Sequence, residues 1–314
     1  MPKICWILLG SFFFFLSCKP ESTVDPIVDK DPWFETFTEM TYSMGTVTYA
    51  EGFNPIEEVG IVENTQLNEA SGLAPCTYRS DWLYAHNDGG DYNRFFILDT
   101  NGKHIKSVIV PFSGNRDMED MAVDPNPVNG NTHIYLADIG DNDGVYPEIK
   151  IYRFKEESFL DNNRDTTAQR AQTYLFVYPD GPRDAEAMFI DPWSHHMYIF
   201  TKRDARTGVY KAQFPFDSTK TNVLEKVATL PFSGVVAGDI SSDGKNILLK
   251  TYLQAFLWDR NAEETIVSAF SRQPKMVPYK FEKQGEAICW SNDGQKYYTI
   301  SEGKNEPIFM GSRK

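Results

Sequence analysis

Short apolar and aromatic runs alternate along this chain with clusters of Gly, Asp, Asn and Pro, a pattern of strands broken by turns rather than of amphipathic helices. Residues 118–179 read as four strands in succession: MEDMAVDP, HIYLADIGD after the turn VNGNT, EIKIYRFK and QTYLFVYP. The next stretch gives EAMFIDP, HMYIFTK, GVYKAQF and NVLEKVATL. Further on, Asp243-Gly244 and Asp293-Gly294 each separate two apolar runs, a strong hairpin signal.

The four-strand unit repeats. Residues 114–125 read GNRDMEDMAVDP and residues 181–192 read GPRDAEAMFIDP, identical at seven of twelve positions. Weaker copies surround Glu69 (NEASGLAP), Asp239 (AGDISSDG) and Glu286 (QGEAICWSNDG). Five acids thus open five similar segments, Glu69, Glu119, Glu186, Asp239 and Glu286, with spacings by subtraction of 50, 67, 53 and 47. Strand-rich repeats of this length predict an all-β, five-bladed β-propeller. The fifth repeat lacks an outer strand, and EEVGIV (57–62) can supply it, closing the ring from the other end of the chain. MTYSMGTVTY (40–49) is left over as a candidate extra edge strand; a six-bladed ring would need it plus a repeat that is not visible, and ranks second. Tyr84, Tyr135, Tyr198, Leu248 and Tyr298 align in the second strands and are expected to pack between blades.

Composition narrows the function. With 314 residues, 41% hydrophobic, the chain can bury a large core, and its net charge of −13 argues against nucleic acid, which needs excess Lys and Arg. Residues 4–17 (ICWILLGSFFFFLS) are apolar but short for a membrane span, and they end at Cys18. Phe15-Leu16-Ser17-Cys18 resembles a bacterial lipobox, with Phe15 departing from the usual aliphatic residue. The reading is a lipoprotein-type signal peptide (1–17), a lipidated Cys18, a flexible tether (18–39) and the propeller (40–314). It places a monomer at the cell envelope, held to the outer membrane or facing periplasm or surface; an ordinary cleaved signal peptide or short anchor is the alternative. Cys76 and Cys289 fall at depths roughly 13 Å apart along their strands, too far for a disulfide, and read as packing residues.

Equivalent positions of a propeller meet around its axis, so the repeat predicts a ring of carboxylates at one mouth. Three residues before the acids lie Gln66, Arg116, Arg183, Val236 and Lys283. The second strands run back to the same face and add two columns. One is Asn87, Asp138, Thr201, Thr251 and Ser301; the next is Asp88, Ile139, Lys202, Tyr252 and Glu302, with His86, Arg203 and Lys250 close by.

Converging carboxylates repel unless something neutralises them. A divalent cation, Ca²⁺ foremost, held by some of Glu69, Glu119, Glu186, Asp239 and Glu286, is one remedy. Internal pairing with Arg116, Arg183 and Lys283 is another, and capping of backbone N–H groups a third. A catalytic reading takes Glu119, Glu186 and Glu286 as acid–base groups. His86, Arg116, Arg183, Lys202, Arg203 and Lys250 would then hold an anionic small-molecule or glycan ligand. Glycoside hydrolysis by two ring acids, and non-catalytic binding of a glycan or protein, are the rivals.

DIGDNDG (138–144) and HNDGGD (86–91) look like calcium loops but lack the spacing that makes such a match specific, and read as turns. His195 and His196 are expected to be exposed at the far end of a blade. No nucleophile elbow or phosphate-binding glycine loop is present.

NEASGLA, RDMEDMAVDP, RDAEAMFIDP and QGEAICWSNDGQKYYTISEG resemble segments of the esterase-like phytase group of propellers and of related exported bacterial propellers. The resemblance covers most of residues 66–305 and implies an exported propeller with metal-dependent phosphoesterase or esterase activity. Asp239 in place of Glu, and the short chain, depart from that pattern.

Overall fold

The computed structural model describes residues 37–314 except 113, 129, 162 and 163. The expected signal peptide, Cys18 and the expected tether up to residue 36 lie outside the described residues. Five sheets, antiparallel but for short parallel pairs at three outer edges, follow one another along the chain, and each blade's run of strands begins with one lining the axis. These inner strands are Ala70–Pro75, Met118–Val128, Ala185–Ile190, Val235–Ile240 and Ala287–Trp290, and they number blades 1 to 5. Inner strands of successive blades pack side by side, and the last returns to the first. The molecule is a five-bladed β-propeller.

Ring closure is as the sequence predicts. Blade 5 takes Ala287–Trp290, Lys296–Ile300 and Pro307–Ser312 from the end of the chain, and its outer strand is Glu57–Ile61. Glu58 lies opposite Phe309 in that antiparallel pair. The segment before it is not the strand expected at 40–49. Met44–Thr46 forms a 3-10 turn, while Thr38–Glu39 pairs in parallel with the outer edge of blade 3 and Tyr49 bridges Met276 of blade 4. Residues 38–61 therefore seal three exposed edges in turn, which suppresses pairing with other chains. Asn222–Val223, which the sequence joins to the third repeat, pairs instead with Phe176 and Val177 of blade 2.

Each blade is sandwiched between two others, so its strands are apolar on both faces rather than alternating. Residues 185–190 (AEAMFI) are all buried, acid included. Five core clusters form among the described residues, one at each junction between blades. Tyr84, Tyr135, Tyr198, Leu248 and Tyr298 fill the five junctions one by one, and all are buried. Cys76 and Cys289 are buried, unpaired packing residues in different junctions.

Candidate functional site at the channel mouth

The mouth residues come from an irregularity repeated around the ring. As the inner strand of each of blades 1 to 4 enters its sheet, the pairing skips one residue: Ser71, Glu119, Glu186 and Val236. In blade 5, Ala287 lies opposite Ile300 as Ala187 lies opposite Phe200, so Glu286 holds the same place. A bulge turns its extra side chain off the pleat. The ring therefore has three glutamates, Glu119, Glu186 and Glu286, with Ser71 and Val236 in the remaining positions.

This corrects two of the five expected acids. Glu69 accepts the Asp88 N–H at 2.7 Å through its carbonyl, as Asp184 does for Lys202 and Gln284 for Glu302, so it stands two residues before the bulge and is exposed at the rim. Asp239 stands three residues after the bulge, inside the channel. Its carboxylate accepts the N–H of Ile240 at 2.8 Å and of Trp290 in blade 5 at 2.7 Å. Asp120 does the same, reaching Met121 at 2.8 Å and Met188 in blade 3 at 2.8 Å. No strand lies beyond the inner strands toward the axis to cover their N–H groups, and buried Asp120 and half-buried Asp239 satisfy some of them. The correct register is legible in the turns. Asp243-Gly244 and Asp293-Gly294 are the same hairpin, and counting back from both sets Val236, not Asp239, against Glu286.

On the side of blades 1 and 2, Asp88, Asp117 and Glu119 each bring one carboxylate oxygen within 4.8 Å of the others. Asp88 and Asp117 were not among the expected ligands, although Asp117 belongs to the repeated Arg-Asp-x-Glu. A side chain at Gly140 would collide with Glu119 Oε1 and Asp117 Oδ2, so the glycine leaves the space these oxygens occupy. Burial and then neighbouring acids push Asp88 up to about 6 and hold Glu119 well above the usual carboxylate range. Ser71 donates to the Glu119 carbonyl at 2.5 Å from blade 1.

On the side of blades 3 to 5, the Lys202 ammonium pairs with Glu186, lies 3.6 Å from Glu286 and 3.1 Å from the Tyr252 hydroxyl. Tyr252 in turn donates to Glu286. Blade 4, which has Val236 in place of a glutamate, thus contributes a phenol. Burial and the surrounding carboxylates outweigh Lys202 and push Glu186 up to about 8; Glu302, beside Glu286, is pushed up to about 7. Burial opposes the charge of Lys202, yet Glu186 keeps its pKa above the usual lysine value.

The other expected anion-binding residues are engaged elsewhere. Arg116 donates to the carbonyls of Glu148 at 3.1 Å and Gly140 at 3.0 Å and stacks on Tyr146. Arg183 pairs with Asp180 and Asp204, both at 3.3 Å, and Arg203 with Asp184 at 2.7 Å. Lys250 is fully buried, donates to the Gly285 carbonyl, and is pushed down to about 8 by burial. His86 is buried with Nδ1 2.7 Å from the Asn87 carbonyl oxygen, and its ring packs where Gly72 leaves room.

The small polar column serves the backbone. Asn87, Asp138 and Ser301 accept N–H groups of the segments entering blades 1, 2 and 5, and Thr201 and Thr251 accept those of the following turns. Asp141 accepts the N–H groups of Val145 and Tyr146, as a turn residue does. His195 and His196 are half-buried rather than exposed, because His195 bonds Asp124 at 2.7 Å and His196 receives the Phe214 N–H at 3.1 Å.

No family model and no curated protein sequence matches the chain. Among solved structures it is similar to the holo form of the pyranose dehydrogenase PQQ domain from Coprinopsis cinerea, at 11% identity and a TM-score of 0.47, over 88% of this chain and 100% of that one. A likeness this distant says nothing of the ligand.

Proposed function

We propose that this propeller binds a divalent cation, calcium foremost, at Asp88, Asp117 and Glu119, and that it works as a cation-dependent hydrolase of a phosphate or carboxyl ester. The observation that carries the reading is the set of three hard oxygen donors gathered where Gly140 leaves space. Such a cation supplies Lewis acidity toward an ester or phosphoryl oxygen. The chain's own residues supply the rest. Burial raises the Glu186 pKa against the pull of Lys202, which brings this carboxyl toward the range in which it can pass a proton to a leaving oxygen. Lys202 and Tyr252 hold Glu186 and Glu286 in place. The proposed setting is an exported, lipid-anchored monomer, which rests on residues 1–18 and their resemblance to a lipobox.

One observation favours the binding-module rival. The arginines and Lys250 are engaged with backbone and rim carboxylates, and this leaves few groups to hold an anion. Calcium titration by calorimetry after chelator treatment, followed by a phosphate- and carboxyl-ester panel, separates the two. Hydrolysis predicts binding of about one ion, weakened about tenfold or more in Asp117→Asn and in Gly140→Ala, with ester turnover lost in Glu186→Gln. Calcium binding without turnover of any ester moves the binding module to first place, and no calcium binding removes the cation site.

A further inference from the structure

The mouth holds two carboxylate groups that differ in one respect. Asp88, Asp117 and Glu119 gather on blades 1 and 2 with no cation in direct contact: Arg116 favours the charge of Asp117 only from a distance, donating to carbonyls and pairing with Asp138 at 3.8 Å. Glu186 and Glu286, with Glu302 beside the latter, gather on blades 3 and 5 around the ammonium of Lys202.

We infer that Lys202 is a tethered cation that limits the mouth to a single divalent ion, its ammonium standing among Glu186, Glu286 and Tyr252 where a second ion would otherwise sit. The inference rests on the proposed cation site for the count of ions, but its own observations are separate. An ammonium has three N–H donors, and here three oxygen-bearing neighbours surround it: Glu186, the Tyr252 hydroxyl at 3.1 Å and Glu286 at 3.6 Å. It is spent on the protein, so it does not serve a ligand's anion.

The surroundings of this ammonium are those of an ion site. The side chains of Lys202, Glu186 and Glu286 are 13%, 4% and 7% exposed, so water screens the charges poorly. Without the ammonium, two buried carboxylates would face each other with no counter-charge, a strongly unfavourable arrangement. The bulge of blade 3 and the equivalent position just before the inner strand of blade 5 bring glutamates to one spot. Blade 4 between them carries Val236, and Tyr252 brings a further oxygen to the same place. Flexible and compact, a lysine ammonium is the side-chain group best able to substitute for a metal ion among oxygens.

Calcium stoichiometry tests this. The wild-type chain and Lys202→Arg should bind about one ion each, and Lys202→Met about two, the extra one lost when Glu186→Gln is added. Lys202→Met should also melt lower than wild type in chelator and regain stability in millimolar calcium. If Lys202→Met and the wild type both bind one ion, the inference fails while the cation site stands. If the wild type binds none and Lys202→Met binds one, the site at Asp88, Asp117 and Glu119 fails and the inference stands. No ion in either removes both. A Lys202→Met chain that stays unfolded in calcium also overturns the inference, because the ion then fails to replace the ammonium.

Discussion

The Asp120 carboxylate reaches from blade 2 to accept the Met188 N–H of blade 3 at 2.8 Å, within the channel itself. Its second oxygen takes the N–H of Met121 at 2.8 Å. Both oxygens act as acceptors, so Asp120→Asn must turn an amide NH₂ toward one of these donors. The loss should destabilise the fold by about 1–3 kcal/mol, measured by denaturant unfolding. An unchanged midpoint would show that water satisfies the inner strands equally well.

Tyr135 is fully buried in the junction of blades 2 and 3, with Arg153 over its ring and Phe216 edge-on at 6.4 Å. Its truncation removes apolar contact from two blades at once. Tyr135→Ala should cost about 3–5 kcal/mol in the same assay, and Tyr198→Ala, at the next junction, a similar amount. A cost under about 1 kcal/mol would mean that the blades do not rely on these columns for their mutual packing.

Stability should fall as pH rises through neutrality when divalent cations are chelated. Burial pushes Asp239 up to about 7, Glu282 to about 7, Asp88 to about 6 and Glu186 to about 8. A carboxyl whose folded pKa exceeds its unfolded value keeps its proton longer in the folded state. The stability it contributes is complete below the unfolded pKa and is lost as pH climbs to the folded one. Glu264, pulled down to about 2 chiefly by its hydrogen bond with Arg272, acts with the opposite sign at lower pH, and so does His133, pushed down to about 4 by burial, with His86, His104 and His196 also lowered by burial; these histidines add stability as pH rises toward the ordinary imidazole value. Lys250, pushed down to about 8, adds stability only as pH rises from there toward the ordinary lysine value. Melting temperature in chelator should therefore drop between about pH 6.5 and about pH 8, above the range in which the histidines offset the acids, and calcium should restore part of the loss. A melting temperature that rises across that range would show that the channel acids ionise freely in the fold.

Much of this protein could be read from its residues alone. The five-fold period, the four strands of each unit and the closing strand at 57–62 are local properties: apolar runs of strand length, Asp-Gly turns and one unit short of an outer strand. The column from Tyr84 to Tyr298 followed because residues at one depth of successive blades meet the same kind of neighbour. The ring itself was legible only where the bulge residue happened to be acidic, at Glu119, Glu186 and Glu286. Glu69 and Asp239 are acids in the right neighbourhood at the wrong depth, and a strand that slips by two or three residues carries its side chain to another level of the channel.

What the chain order could not convey is which opposite charges meet. Arg116 and Arg183 lie three residues before ring acids in sequence, yet the first donates to carbonyls and pairs with Asp138, and the second pairs with the rim acids Asp180 and Asp204. Lys202 and Tyr252, from different blades, converge instead on Glu186 and Glu286. Asp88 and Asp117 join Glu119 from different loops. Periodicity determines that side chains share a face, because it follows from covalent geometry repeated along each strand. Which of them touch depends on bulges, on loop paths and on competition among nearby donors for each carboxylate, and only the closed ring decides that.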